Sequence, residues 1–455
     1  MNKQNILIQI AFSLIIFVIE YLFAVNNTPY TTRFFEFQLV IVWGYTQYSS
    51  YKKFGVFNLF TLLLSTTFIF AVGGVFHFAV SGDDITILDN RGFGNYVFPN
   101  SIIQKSLLLY TIYIAISYLS YSLIYDTRIY YLQQENKYKR FDFKRLGKIL
   151  MYLFLWAVIY KGYLYVNSFS VSRVLIYLYG NMENPVPTWV RFFATFFEIG
   201  YFFIIASKPN KSVFKKYSIL YFATIIPEVI LGNRGMLGAF ILFYLWYYSR
   251  NYKEKAFKTK YIVVGGVFML FVFQFMELYR NSFSAGELSF SLTSFLVGQS
   301  ISFYILPLYM LNAGAIQYYS YPFVLYTLLG GFSGYTGQSI EVLKHKCGVG
   351  HQLMYAVNPN YYLSGGSFGS SSITELYDLG IWGVIVGAVL VPCMIKFIDR
   401  KITTSPFFRF ASFLIFSDLM LSPRGSVLPG AYGLLKLFIF YTSCLTLYSM
   451  FIKRR

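Results

Sequence analysis

Four short segments set acidic and basic side chains at the ends of apolar stretches, where such groups are costly and are normally paired or functional. The first is Pro227-Glu228-Val229-Ile230-Leu231-Gly232-Asn233-Arg234-Gly235. Its glycines permit close backbone approach, and Arg234 opens the next apolar stretch, where it either anchors the turn at the interface or, with helix N–H groups, makes an anion site. The second, Glu277-Leu278-Tyr279-Arg280-Asn281, spaces Glu277 and Arg280 i, i+3, so they either pair with each other or face a ligand. The third runs from Ser370 through Glu375 and Asp378 to Gly380. Its two acids share one helical face, although acids also suit a helix start on dipole grounds alone. The fourth, Ser417-Asp418-Leu419-Met420-Leu421-Ser422-Pro423-Arg424-Gly425, again combines an acid with an Arg. Lys344, His345, Lys346 and His351 add a basic patch in which His351 is a further acid–base candidate.

These residue types suit one chemistry. A guanidinium fork matches phosphate oxygens, and a carboxylate can take the proton of a sugar hydroxyl, general-base work typically contributing about 10²–10⁴-fold. A diphosphate leaves readily once cations neutralise it, so neither a metal nor a strong general acid is required. A sugar linked to a lipid diphosphate satisfies all of these demands together.

The elements that must hold these groups are membrane helices. The chain is 56% hydrophobic and 13% charged over 455 residues, and stretches near the roughly 20 residues of a span recur throughout. Expected spans are 5–25, 34–48, 56–80, 101–125, 149–168, 188–206, 217–231, 234–249, 261–279, 373–395, 407–422 and 430–451. Asn5–Val25 follows Lys3 without a small-residue cleavage site and reads as a retained first span. Of the 38 basic residues, 25 fall in alternate gaps between these spans. Retained positive loops mark the cytoplasmic side, so twelve crossings put both termini in the cytoplasm. The net charge of +19 is then topology, and nucleic-acid binding is excluded as its cause. An all-α polytopic fold follows, because lipid demands internally satisfied backbones and alternating barrel strands are absent.

Three regions result: membrane helices over 1–279, a large outer loop over 280–372, and membrane helices over 373–455. The loop holds two further apolar stretches, 291–311 and 319–329, which are either extra spans, making fourteen, or re-entrant and interfacial helices. On this topology Lys161, Arg191, Glu228, Glu277, Glu375, Asp378, Asp418 and Lys436 gather toward the outer leaflet. Single charges there can snorkel to water, but eight of both signs suggest a polar chamber open to the outside. Cys347, Cys393 and Cys444 are too few and scattered for a disulfide framework or zinc site. Asp83, Asp84 and Asp89 lack the spacing of a nucleotide-sugar metal site, and no P-loop, dinucleotide fingerprint or H-E-x-x-H occurs. No cofactor is expected: no ATP, no NAD, no catalytic metal.

The Gly232-Asn233-Arg234-Gly235 turn before a span, and Ser370 to Ser372 preceding Thr374-Glu375-Leu376-Tyr377-Asp378-Leu379-Gly380, resemble the bacterial O-antigen polymerases, often called Wzy. The twelve-span layout with one large late outer loop is similar to theirs. The resemblance implies a multi-pass inner-membrane glycosyltransferase of GT-C type working at the periplasmic face. It would move a growing glycan from undecaprenyl diphosphate onto a new lipid-linked repeat unit, alongside a chain-length regulator protein. On this reading Arg234, Arg280 and Arg424 bind the diphosphate, and Glu375, Asp378 or Glu277 is the base. Two rivals are a flippase for the same lipid-linked oligosaccharide and an O-antigen ligase. A flippase should show two related halves, which are not evident here, whereas a ligase suits the outer Arg residues equally. A passive scaffold is a third class.

Overall fold

The computed structural model describes residues 29–90, 94–125, 142–178, 186–230, 234–252, 292–318, 321–333, 338–345, 348–366, 369–428 and 430–452. In chain order the helices begin with α1 Pro29–Phe54, α2 Leu59–Thr67, a π turn Phe68–Val72 and α3 Gly73–Ser81. A hairpin of β1 Ile87–Asn90 and β2 Gly94–Val97 follows, then α4 Asn100–Ile124, α5 Phe143–Leu153, α6 Leu155–Leu178, α7 Thr188–Ala206, α8 Lys211–Ile230 and α9 Arg234–Asn251. Next come α10 Leu292–Gln299, α11 Ile301–Asn312 and the short α12 Tyr326–Leu329, α13 Ile340–His345, α14 Val349–Val357, α15 Pro359–Leu363 and α16 Ser372–Tyr377. The last are α17 Gly380–Thr404, α18 Pro406–Phe410, α19 Ser412–Leu421 and α20 Ala431–Ile452.

Among the described residues, five helical stretches are long and apolar enough to cross a membrane: Leu59–Ser81, Asn100–Ile124, Thr188–Ala206, Gly380–Thr404 and Ala431–Met450. A sixth is formed if α5 and the start of α6, bent by 43°, count as one. These answer six of the twelve expected spans. The expected spans 5–25 and 261–279 lie outside the described residues. Those at 34–48, 217–231 and 234–249 fall on α1, α8 and α9, which are long enough but carry more polar residues. The stretch 407–422 is broken into α18, α19 and a 3-10 turn. In the loop, 291–311 is divided at Ser300 between α10 and the short apolar α11, and 323–333 is a run of single turns.

The chain forms two compact units. Unit 1 comprises 1–127, 291–397 and 419–430. Its helix boundaries follow local chemistry. Asn58 caps α2 by accepting the Phe60 N–H at 2.9 Å, and α3 ends at Gly82, whose φ of +83° favours a residue without Cβ. The Trp43 indole donates to the Leu64 carbonyl at 2.9 Å and joins α1 to α2. The late segment docks through small residues: Gly74 N–H donates to Ser300 Oγ at 2.7 Å, and a Cβ on Gly74 would meet Ser300 Cβ at 2.7 Å. Such close approach of backbones is how membrane helices pack without a hydrophobic driving force.

Unit 2 comprises 128–290, 398–418 and 431–455. Here α5 crosses α7 at a pair of glycines. A Cβ on Gly147 would sit 2.6 Å from the Gly200 carbonyl, and one on Gly200 would sit 2.9 Å from the Gly147 carbonyl. Phe202, Phe203, Phe243, Phe410, Phe413 and Phe416 fill its core with mutually tilted rings. Among its described residues, Arg409, Arg250 and Glu198 find partners locally. Arg409, buried, donates to the Ala206 and Thr403 carbonyls at 3.3 and 2.9 Å. Arg250 pairs with the Asp399 carboxylate and carbonyl, and Glu198 accepts the Tyr221 hydroxyl at 2.9 Å.

Candidate functional site

The acidic segment folds as the single short helix α16, set off from the spanning α17 by Gly380, whose φ is +73°. Its entry is fixed by Ser371, whose hydroxyl lies 3.2 Å from the Tyr110 hydroxyl of α4. Glu375 in the first turn is 1% exposed. One carboxylate oxygen accepts the Ser426 hydroxyl at 2.8 Å and the Ser370 hydroxyl at 3.5 Å, and the other accepts the Val427 N–H at 3.0 Å. Burial raises its pKa, and the neighbouring Asp378 charge raises it further, while these three donors favour the ionised form; the balance leaves it at about 8.

Asp378, three residues on, turns to a different task. Its carboxylate accepts the Tyr309 hydroxyl at 2.6 Å and the Phe323 N–H at 3.0 Å, which tethers α11 and the 323–325 turn. Thus the two acids act on different segments while remaining close enough to repel.

Arg424 closes the 3-10 turn Ser422–Arg424. Its carbonyl accepts the Ser370 N–H at 3.3 Å. The exposed guanidinium donates to Gln299 at 3.0 Å and lies over the Phe70 ring at 5.9 Å. Gly369, at φ +86°, runs beside the Arg424 side chain. Glu375, Ser370, Ser426 and the Arg424 backbone are therefore linked in unit 1, with the carboxyl buried and the guanidinium exposed. The cavity of ≈ 10 Å³ lined by Thr67, Tyr110, Ser372 and Ser422 has room for about one water.

Of the residues picked from sequence, Glu375 and Arg424 are brought together, with Asp378 adjacent. Arg234 is the first residue of α9, as its position after the turn predicts, but its side chain lies outside the described residues. Glu277 and Arg280 also lie outside them. In the loop patch, Lys344 and His345 both reach Glu341, at 3.0 and 3.6 Å. His351 Nδ1 lies 3.3 Å from the buried Tyr362 hydroxyl. Among the described residues no group of three or more His, Cys, Asp or Glu side chains is placed to hold a metal. Ser426, Val427, Tyr309 and Gln299 escaped the sequence reading. Only Ser426 carried a hint, two residues beyond Arg424.

The family model for O-antigen polysaccharide polymerase Wzy matches residues 5–455. No curated protein and no solved structure matches the chain.

Proposed function

The chain belongs to the O-antigen polysaccharide polymerase Wzy family, and from that premise we propose that it polymerises undecaprenyl-diphosphate-linked oligosaccharide repeat units at the periplasmic face of the inner membrane. An acceptor hydroxyl on the incoming unit attacks the anomeric carbon of the growing glycan. The new C–O bond forms as the bond to diphosphate breaks, and the electron pair leaves with undecaprenyl diphosphate. The hydroxyl proton passes through Ser426 to the Glu375 carboxylate. Arg424 neutralises the diphosphate as it leaves; Arg234 and Arg280 are the other candidates for that task. Asp378 and Glu277 are the remaining base candidates; the engagement of Asp378 with Tyr309 and Phe323 favours Glu375.

The observation that carries this reading is the Glu375–Ser426 hydrogen bond beside an exposed Arg424. It supplies a proton acceptor near neutrality and an anion-binding cation within one cluster. The wider setting is a multi-pass GT-C-type protein of twelve spans, both termini cytoplasmic, working with a chain-length regulator. Complementation of a polymerase-null strain tests the reading. The wild-type gene should restore a ladder of glycan lengths where the null leaves core with a single repeat unit. Bare core with polymer retained on undecaprenyl lipid would instead mark a ligase, and units held on the cytosolic face a flippase. In the same strain Arg424→Ala and Arg234→Ala should each abolish long chains at normal membrane abundance. A full ladder from either variant removes that residue from the site.

A further inference from the structure

A second polar site lies in unit 1, at the ends of α1, α3 and α4. A cavity of ≈ 220 Å³ is bounded by Thr32, Arg33, Glu36, Asp83, Asp84 and Asn100. Its floor is Glu36, 2% exposed, and its mouth is formed by Arg33, Asp83 and Asp84, all exposed. Glu36 Oε2 is buried and has no hydrogen-bond partner. An acceptor left unmade in this way costs free energy unless a ligand or water satisfies it.

The other groups are held in place. Gly82, in its left-handed cap, turns its carbonyl to Arg33. Gln104 donates to Thr32 at 3.0 Å and Thr32 donates to Asn100 Oδ1 at 2.8 Å, so the Asn100 amide is oriented with its oxygen already engaged. The Asp84 carboxylate is fixed by the Thr86 N–H and hydroxyl at 2.8 and 2.7 Å, and Asp83 lies 3.3 Å from His77. The Tyr304 hydroxyl holds the Ile85 carbonyl at the wall at 3.1 Å.

This composition selects among ligands. Three carboxylates exclude an anion, while Arg33 in the wall disfavours a cation, and the described residues hold no metal-binding group of three. Donors and acceptors fixed around a volume below the roughly 300 Å³ of small drug-sized pockets suit a single polyhydroxylated ring. Asn100 and Tyr110 stand ten residues apart on α4, about 15 Å along its axis. Because Tyr110 touches Ser371, the cavity is in the same unit as the Arg424 cluster yet separate from it.

We propose that the cavity around Glu36, Arg33 and Asn100 is a saccharide subsite that holds one sugar ring of the glycan away from its diphosphate end. It rests on the polymerase reading for the identity of the glycan. Its test uses the full chain in nanodiscs, with the oligosaccharide freed by mild acid from the host's own lipid-linked units as probe and inorganic pyrophosphate as a second probe. Glu36→Gln replaces a carboxyl acceptor by an amide without changing shape and should weaken oligosaccharide binding roughly 10–100-fold, with pyrophosphate binding unchanged. Asn100→Leu fills the cavity and should abolish oligosaccharide binding. Should Glu36→Gln fail to fold, Asp83→Asn at the exposed mouth replaces it with the same expected direction. Wild-type oligosaccharide affinity in the folded Glu36 or Asp83 variant and in Asn100→Leu overturns the subsite. Complementation of the null strain decides the polymerase reading and the binding titration decides the cavity, whichever way the other falls.

Discussion

Replacing Glu375 by Gln preserves the side chain's shape and removes its titration. The carboxyl rises from an ordinary value of 4.5 to about 8 on burial. Between those values the folded chain holds a proton that the unfolded chain has released, so stability falls as pH climbs through the window and levels off above it. Each tenfold change in a protonation equilibrium corresponds to about 1.4 kcal/mol, which makes the full loss on the order of 5 kcal/mol. Glu375→Gln lacks this contribution. Thermal unfolding of the purified protein from pH 5 to 9 should show a melting temperature that declines more steeply for wild type than for the variant. If the carboxyl is the base, only about a tenth of it is ionised at pH 7 and most at pH 9. Polymerisation on isolated lipid-linked units should then rise roughly tenfold over that interval, and Glu375→Gln should lose about 10²–10⁴-fold at the plateau. Parallel melting profiles for the two proteins would refute the buried, protonated carboxyl. A variant that polymerises at the wild-type rate would refute its role as base.

The remaining expectations concern charge and packing. Arg424→Ala should lower polymerisation on the order of 10²-fold, and Arg424→Lys should recover only part of it because a point charge lacks the guanidinium fork; wild-type activity in Arg424→Lys would show that no bidentate contact is made. Gly147→Ala places a methyl 2.6 Å from the Gly200 carbonyl and should cost about 1–3 kcal/mol, read as a lower melting temperature with the pH profile unchanged. Asp399→Asn leaves Arg250, 17% exposed in its side chain, without its counter-charge and should destabilise by about 1–3 kcal/mol. Restoration by the added change Arg250→Met would identify the lost pairing as the cause.

Much of the fold was legible because apolar length is a one-dimensional signal. The stretches expected at 188–206 and 101–125 are α7 and α4 with ends displaced by at most one residue. The expected start at 373 was displaced for a physical reason. Hydropathy continues through Ile373 to Leu379, but Gly380 takes a left-handed conformation there and the spanning helix begins at that residue. Likewise 149–168 reads as one stretch, whereas the chain bends by 43° near Phe154. At the site, charge type and position singled out Glu375, Asp378 and Arg424. Sequence could not show that Glu375 would bond to Ser426 and Val427, 51 and 52 residues away, because such pairings are set by tertiary packing. The cavity was missed differently. Arg33 and Glu36 are i, i+3 at the edge of an apolar stretch and met the same criterion as the chosen segments, but Asn100 and Asp83 join them only when three helix ends meet.

The left-handed Gly380 has one more implication. A Cβ at that position would meet nothing within 4 Å, so the residue serves conformation and not close contact. Like a universal joint, it lets α16 and α17 keep independent axes, and substitutions that retune the carboxyl-bearing turn for a different sugar need not tilt the rod anchored in lipid. Restricting that joint with a β-branched residue should transmit strain in both directions, and Gly380→Val would then alter glycan length and membrane seating together.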